Sequence, residues 1–218
     1  MVIARRELVP KARLLIDGSE VEQVKRFVYL GQLISEDGRS DNEIKKRIQM
    51  AKMAFLNMKR ILTNQIISGR TRFRLLKCYI WSLFLYGAET WTTKKSTEAQ
   101  IDAFEMWCYR RMERISWKEM KTNEEVLRDI GMKEKCLLKM IKKRKLAYYG
   151  HVRRHNTLQK TILEGSVSGR RGRGRRRTTW TMNIAEMTER PINEFSKLAL
   201  DRDGWKTMTA DLLKMTPR

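Results

Sequence analysis

The sequence predicts a mainly α-helical protein that opens with a short N-terminal β-hairpin and continues into a three-helix bundle and a further basic helical region. Three observations support this fold class. Apolar residues recur at helical spacing through most of the chain after residue 39. Short runs of β-branched and aromatic residues precede that point, each followed by an Asp-Gly pair typical of a tight turn. Hydrophobic residues make up 41% of the 218 residues, which is enough for a packed core.

The strand signal is strongest in residues 27–34, which precede the Asp37-Gly38 pair. The pattern predicts a buried strand, and Gly31 within it indicates a close backbone approach or a bulge. An earlier run at residues 13–16 precedes the Asp17-Gly18 pair, and we expect the two runs to form a hairpin. Two strands alone are marginally stable in water, so they belong either to a larger sheet or to a small sheet docked on the helices.

The first two helices of the bundle follow. The first begins at Ser40 or Asp41, either of which can cap a helix N-terminus, and continues to Leu62. The second covers residues 70–86, has a basic start and after its first turn is apolar nearly all round, which predicts a central position. We interpret Trp91, just beyond it, as a packing residue rather than a base-stacking platform. The cations assigned to the outer face of the first helix are Lys45, Lys46, Arg47, Lys52, Lys59 and Arg60.

A third helix, from Ile101 to Ile115 and ending near Ser116-Trp117, completes the predicted bundle. Asn123 is a suitable N-cap for a short helix that Gly131 ends. A longer helix from Cys136 to Tyr149 follows, and this pair has the outline of a helix-turn-helix. Binding to the nucleic-acid backbone by the basic face of the second helix is favoured over specific groove reading. The cations assigned to that face are Lys139, Lys142, Lys143, Arg144 and Lys145.

The net charge of +22 indicates a polyanionic partner. Nucleic acid is the first candidate and an anionic membrane the second, while a basic surface that only confers solubility is the remaining alternative. The densest charge lies in residues 169–177, where glycine alternates with arginine. We predict a flexible arm that becomes ordered on RNA or DNA, with a nuclear-import signal or an inert linker as alternatives.

No metal, disulfide or membrane segment is predicted. Cys78, Cys108 and Cys136 are far apart and odd in number, as expected for free thiols in a reducing compartment. His151 and His155 are spaced like ligands on one helix face, but a zinc site needs about four ligands and no paired cysteines accompany them. No signal-peptide pattern or run of about 20 apolar residues is present, so we expect an intracellular protein, nuclear or cytoplasmic or both.

Several strings in the chain resemble a known family. Tyr29-Leu30-Gly31, Arg47-Ile48, Ala54-Phe55 and the unusual string at residues 85–91, LYGAETW, are similar to the palm-to-thumb passage of LINE-type (non-LTR) retrotransposon reverse transcriptases, in particular the RTE/BovB-like group. The resemblance continues in order through later strings and covers most of the chain. These later strings are TNEEV at 122–126, YGHVRR at 149–154 and the basic Gly-rich run that ends at Trp180.

The resemblance implies a division of the chain into five parts. These are a palm remnant with a primer-grip-like hairpin at 1–38, a helical thumb at 39–117, a basic helical hairpin at 118–167, an Arg/Gly-rich flexible segment at 168–178 and C-terminal helices at 179–218. In the parent polymerase this part would clasp the primer-template duplex and the element RNA. Its implied partners are RNA, DNA or an RNA–DNA hybrid and the upstream palm and fingers.

The resemblance also implies that this chain alone is not an enzyme. Reverse transcriptases hold two Mg²⁺ ions with paired aspartates, which in this family lie in a Tyr-x-Asp-Asp turn and an earlier palm strand. Neither occurs here, so we expect the chain to begin just downstream of that turn, with no catalytic residue and no cofactor of its own. The alternatives are a stand-alone nucleic-acid-binding protein derived from such an element and a helical protein-interaction module.

The candidate site residues fall into two groups. The primer-grip-like group is Tyr29, Leu30 and Gly31. The candidate nucleic-acid-binding group is Lys45, Lys52, Lys59, Lys142, Lys143, Arg144, Arg153, Arg154, Arg170, Arg171, Arg173, Arg175, Arg176 and Arg177.

Overall fold

The computed structural model describes residues 1–3, 12–165 and 178–214 and confirms a mainly helical protein that opens with short strand pairs. The strands are β1 (Leu15–Ile16), β2 (Ser19–Glu20), β3 (Arg26–Tyr29) and β4 (Gln32–Ser35). The helices are α1 (Asp41–Asn57), α2 (Lys59–Leu62), α3 (Gly69–Leu75), α4 (Ser82–Phe84), α5 (Lys95–Met112), α6 (Asn123–Asp129), α7 (Leu137–Arg154), α8 (Leu158–Glu164), α9 (Trp180–Thr188), α10 (Ile192–Leu198) and α11 (Arg202–Lys214). No helix within the described ranges is long and apolar enough to cross a membrane.

The stretch predicted as one buried strand, residues 27–34, instead folds back on itself. Strands β3 and β4 pair antiparallel, with Tyr29 opposite Gln32, and Leu30 and Gly31 form the two-residue turn. Both turn residues have positive φ, 47° and 78°, as hairpin turns of this length favour. A leucine in this region is uncommon, so the composition did not reveal the turn. The whole of β3 is exposed, and the expected pairing with residues 13–16 is wrong because β1 pairs with β2.

Helix α1 begins after Ser40, as predicted, but the Ser40 hydroxyl does not cap it. It accepts a hydrogen bond from the backbone N–H of Thr92 at 3.2 Å and so joins the helix start to the middle of the chain. The helical path is interrupted at Met58, where α2 takes over. The buried face of α1 carries Ile44 and Phe55, whose side chains have no solvent exposure.

The second predicted helix is a continuous path from α3 to α4 that passes through a π-helical segment, Leu76–Trp81. Trp81 and Phe84 are fully buried, which confirms the central position expected for this path. It ends before Gly87, which has a φ of 69°. Trp91 is 1% exposed and its ring centroid lies 5.4 Å from that of Phe84, as expected for a packing residue.

Helix α7 contributes to two hydrophobic clusters. Its first half places Leu137 and Ile141 in the bundle core, together with α1, the α3–α4 path and α5. Its second half places Leu146 and Tyr149 in a smaller core completed by residues of α9, α10 and α11. The division of the chain into five parts stays a prediction, but α7 physically joins the bundle to the C-terminal helices.

Three details of the helices differ from expectation. Thr122, not Asn123, is the N-cap of α6, in a capping box with Glu125. Lys145, predicted on the basic face of α7, has no exposure. Arg47 of α1 is likewise 4% exposed rather than part of a cationic outer face. Both cations are buried because they have hydrogen-bonding partners on other elements.

Candidate nucleic-acid interface

Three of the predicted lysines recur every seven residues along the first helical run, at Lys45, Lys52 and Lys59. Lys45 and Lys52 both lie in α1, which places them on the same side of that helix two turns, roughly 10 Å, apart. Lys59 follows the break at Met58, at the start of α2. Within the part of the chain that the structure describes, none of the three forms an ion pair, so their charges are available to a ligand.

The middle lysine of this row contacts Trp107 of α5. The Lys52 Nζ lies 5.3 Å from the centroid of the Trp107 ring, and the Arg111 guanidinium lies 4.7 Å from the same centroid. Phe55 packs edge-on against the ring at 5.1 Å and fixes it in the core. The ring therefore orients two cations from two helices. Arg111 is exposed, and Lys52 is half-buried. We call Lys45, Lys52, Lys59, Trp107 and Arg111 the basic edge.

The predicted cations of α7 are placed differently. Lys142 and Lys143 form no ion pair among the described residues, but they are neighbours in sequence and point to different sides of the helix. Arg144 donates to the Leu85 carbonyl at 2.7 Å, and Arg154 donates to the Ala199 carbonyl at 2.8 Å. Arg153 forms an ion pair with Glu164. These three arginines thus hold helices together, and their role in ligand binding stays a prediction.

The predicted arginine arm lies outside the described residues. It comprises Arg170, Arg171, Arg173, Arg175, Arg176 and Arg177.

The hairpin tip is exposed and yet firmly attached to the bundle. The Tyr86 hydroxyl donates to the Leu30 carbonyl at 2.9 Å, and the Arg47 guanidinium donates to the Gly31 carbonyl at 2.6 Å. The side chains of Tyr29 and Leu30 remain exposed, at 58% and 73%. The side chains of the primer-grip-like residues therefore face solvent, while hydrogen bonds from Tyr86 and Arg47 hold the backbone of the turn against the bundle.

A buried ion pair joins the same hairpin to α1. Arg47 Nε lies 2.7 Å from Glu43 Oε1, and both side chains are 4% exposed. The second Glu43 oxygen accepts a hydrogen bond from the Leu33 N–H at 2.7 Å, and the guanidinium lies 4.7 Å from the centroid of the Tyr86 ring. The i, i+4 spacing of Glu43 and Arg47 predicts an ion pair between them. This spacing was the one signal in the sequence that distinguished Arg47 from the neighbouring lysines that face solvent.

Three of the strings that carry the family resemblance meet at one place. Gly31 of the first string and Arg47 of the second are hydrogen-bonded, and Tyr86 of LYGAETW reaches the Leu30 carbonyl. A Cβ on Gly87 would lie 1.5 Å from Gln32 Nε2, so the hairpin packs directly against this glycine. The hairpin, the start of α1 and the end of the α3–α4 path form one contiguous structure.

The buried ionisable groups near α5 are structural. The Glu105 carboxylate accepts hydrogen bonds from the backbone N–H groups of Cys136 and Leu137, at 2.7 and 2.9 Å, and so satisfies the N-terminus of α7. It also accepts from the Tyr109 hydroxyl at 2.7 Å. Burial, with the Glu105 charge adding to it, raises the pKa of the Cys136 thiol to about 12. Burial likewise raises the pKa of Cys108, so both thiols are protonated and are weak nucleophiles.

The two histidines lie side by side, with ring centroids 4.4 Å apart. Among the described residues there is no group of three or more His, Cys, Asp or Glu side chains that could hold a metal ion.

Comparison with known proteins gives one informative result. An uncharacterized transposon-derived protein of Caenorhabditis elegans is 27% identical to this chain over 198 residues, which cover 86% of the chain and 71% of that protein. No protein-family model matches the chain, and no solved structure matches it. The likeness supports a transposon origin for the chain.

Proposed function

We propose that the chain is the nucleic-acid-binding thumb and C-terminal segment of a LINE-type reverse transcriptase. In the parent protein it clasps the primer-template duplex and the element RNA. The basic edge is the observation that carries this proposal, because its three lysines form no ion pair with any described residue, recur every seven residues, and include Lys52, which with Arg111 lies over Trp107. Lysine and arginine at regular helical intervals neutralise backbone phosphates without reading sequence, as clasping any primer-template requires.

The attached hairpin gives the proposed clasp a second contact. Its backbone is held by Arg47 and Tyr86, so Tyr29 and Leu30 are presented on a rigid support rather than on a loose loop. A residue that positions a primer end has to be fixed in this way, because small displacements of a reacting group are costly in rate. We assign the primer-grip role to this tip.

We further propose that the chain alone does not polymerise. Phosphoryl transfer by reverse transcriptases needs carboxylates that hold two Mg²⁺ ions near the primer hydroxyl. Of the buried acids, Glu43 is paired with Arg47 and Glu105 satisfies the α7 N-terminus, so neither is free to bind metal. A primer-extension assay of residues 1–218 with Mg²⁺ should yield no product, and robust extension would disprove this proposal.

A salt series tests the binding proposal. The affinity of the chain for an RNA–DNA hybrid should fall steeply as salt rises, because each neutralised phosphate releases counterions. The triple variant Lys45→Gln, Lys52→Gln, Lys59→Gln should bind more weakly and reduce the slope of log K against log salt by roughly 2 to 3, about 0.9 for each phosphate contact removed. Fluorescence anisotropy with a labelled hybrid measures both quantities.

A charge-matched control distinguishes an effect of the basic edge from an effect of the overall positive charge of the protein. Lys133, Lys197 and Lys206 are exposed and belong to segments other than α1, α2 and α5. Their triple replacement by glutamine removes the same three charges and should change the slope by less than about 1. Equal effects of the two triple variants would show that the edge is not the interface. Absence of binding near physiological salt to hybrid, RNA and single-stranded DNA would disprove the proposal as a whole.

A further inference from the structure

Three apolar side chains protrude at the end of the bundle where α2 and α5 finish. Ile66, in the loop between α2 and α3, is 94% exposed. Trp117 and Met120, between α5 and α6, are 81% and 83% exposed. Single exposed apolar residues are ordinary, but a tryptophan that leaves almost its whole ring in water is not. We call Ile66, Trp117 and Met120 the apolar tips.

The two loops that carry the apolar tips are tied to each other. Arg72, which is 4% exposed, donates to the Ile67 carbonyl at 3.1 Å and to the Met112 carbonyl at 2.7 Å. Its guanidinium also forms an ion pair with Glu113 at 3.2 Å. From the other loop, Arg114 donates to the Thr63 carbonyl at 2.9 Å. The two loops that carry the apolar tips are therefore connected to each other by hydrogen bonds and an ion pair.

The turn that presents Trp117 is itself held in shape. The Ser116 N–H donates to Glu119 Oε1 at 2.7 Å, which closes a capping box around a single 3₁₀ turn. Arg114 and Met120, on either side, have left-handed backbones with φ of 57° and 51°. Such conformations are strained for a non-glycine residue, and strained residues of this kind cluster at ligand-contacting sites.

The surroundings of the tips are strongly cationic. Residues 59–74 contain five basic and no acidic side chains, and residues 110–121 contain five basic and two acidic ones. Glu113 pairs with Arg72, and Lys121 pairs with Asp129 of α6. The Glu119 carboxylate accepts from the Ser116 N–H, and the remaining cations of these two segments outnumber it. An apolar partner protein is disfavoured by this charge, whereas a polyanion with flat apolar groups fits both features.

The apolar tips also continue the basic edge. Lys59 begins α2, which leads into the Ile66 loop, and Arg111 lies one residue before the end of α5, which leads into the Trp117 turn. A nucleic-acid strand that follows the phosphate contacts of this edge toward the end of the bundle arrives at the tips.

We propose that Trp117, at the same end of the bundle as Ile66 and Met120, stacks on an unpaired base of the bound nucleic acid. This inference rests on the proposed function, and it adds a base-contacting site for single-stranded or frayed segments beyond the phosphate-contacting edge. Base–aromatic stacking tolerates any sequence, because every base has a π-face. It is therefore compatible with a protein that binds nucleic acid through its backbone.

The test compares Trp117→Ala and Trp117→Phe in binding to a single-stranded DNA oligomer and to an abasic oligomer of the same length and charge. The wild-type chain should prefer the base-containing oligomer. Trp117→Ala should weaken binding to that oligomer about 5- to 150-fold, the range for loss of one stacked base, and leave binding to the abasic oligomer unchanged. Trp117→Phe should retain most of the preference. The salt slope should not change, because no phosphate contact is lost.

Leu158→Ala is the matched control, since Leu158 is also an exposed apolar residue, at 74%, and it should behave as wild type. If Trp117→Ala binds both oligomers as wild type does while the Lys45/Lys52/Lys59 triple variant is impaired, the stacking inference is overturned and the proposed function stands. If no oligomer binds near physiological salt, both fail. If Trp117→Ala loses affinity only for vesicles of anionic lipid in a sedimentation assay, the tips contact membrane and the inference is likewise overturned.

Discussion

Arg47 connects helix α1 to the β3–β4 hairpin and to Tyr86. Its guanidinium pairs with Glu43 inside α1, reaches the Gly31 carbonyl of the hairpin and lies over the Tyr86 ring. A buried arginine of this kind is stabilising only as part of a satisfied set, because desolvating either charge alone is expensive. The hairpin is therefore attached to the bundle by a polar network rather than by an apolar face.

Removing the guanidinium should destabilise the protein strongly. Arg47→Met leaves the Glu43 carboxylate buried without its counter-ion, which costs about 3–5 kcal/mol in comparable pairs. The double variant Glu43→Gln, Arg47→Met should cost clearly less than Arg47→Met alone, because it leaves no unpaired charge. Urea unfolding followed by circular dichroism measures the free energies of unfolding.

Arg60→Met is the control for this series. Arg60 is exposed and lies on the same helical run, in α2, so its loss should change stability by no more than about 0.5 kcal/mol. A change of less than about 1 kcal/mol for Arg47→Met would show that Glu43 finds water or another partner, and that the hairpin does not depend on the pair.

At the scale of elements, the contact between the hairpin and the end of the α3–α4 path depends on Gly87. Its φ of 69° favours glycine, and a Cβ there would lie 1.5 Å from Gln32 Nε2. Gly131, which follows α6, has a similar φ of 73°, but a Cβ there would have no neighbouring atom within 4 Å. An alanine at Gly131 would therefore introduce backbone strain alone, whereas an alanine at Gly87 would also displace a neighbouring side chain.

Gly87→Ala should consequently cost more stability than Gly131→Ala. Gly131→Ala adds left-handed strain alone, on the order of 1–2 kcal/mol, whereas Gly87→Ala also forces the Gln32 side chain out of its position. Hydrogen exchange should show faster exchange of the β4 amides in Gly87→Ala but not in Gly131→Ala. Equal exchange of β4 in the two variants would mean that Gln32 moves aside without loosening the hairpin.

The helices were predictable because their signal is local. The periodicity of Ile44, Ala51 and Phe55 alone places α1 against a core, and Gly131 alone ends α6. The hairpin was not predictable in the same way. Its turn requires a leucine with positive φ at position 30, and no composition rule favours leucine there.

The candidate site was only partly predictable, because accessibility depends on contacts between elements. The spacing of Lys45, Lys52 and Lys59 was visible in the sequence, but the contact of Lys52 with Trp107 required the packing of α1 on α5. Lys145 lies four residues from both Ile141 and Tyr149, so the helix phase already pointed to its burial. Trp117 carried no such signal, since nothing local distinguishes an exposed tryptophan from a packed one.

At the scale of the whole molecule, a buried polar network joins the bundle to the C-terminal helices. The Lys145 ammonium of α7 donates to Asn183 Oδ1 of α9. Asn183 also bonds both backbone groups of Thr93, whose hydroxyl donates to Glu98 at 2.9 Å. This network lies between the two hydrophobic clusters that α7 joins, so its ionisation affects the stability of the assembled protein.

That network should make stability depend on pH. Burial lowers the pKa of Lys145 to about 7, against the opposing effect of the Glu98 and Glu186 charges. Between about pH 7 and the ordinary lysine value of 10.5, the unfolded chain therefore holds a proton that the folded protein has released. The contribution of Lys145 to the free energy of unfolding is lowest below pH 7, where the folded protein carries a buried ammonium. It rises as the pH increases from about 7 to 10.5.

The variant Lys145→Met isolates this effect. The free energy of unfolding of the wild type minus that of Lys145→Met should rise by a few kcal/mol between about pH 7 and pH 10 and should be nearly constant below about pH 6. Denaturant unfolding at constant ionic strength measures it, and titration of Cys136 or Tyr109 cancels because both proteins contain them. Val152→Ala removes no ionisable group, so the corresponding difference should be independent of pH. A constant difference for Lys145→Met as well would mean that the folded protein retains the Lys145 proton, and that the network is held by a permanently charged ammonium.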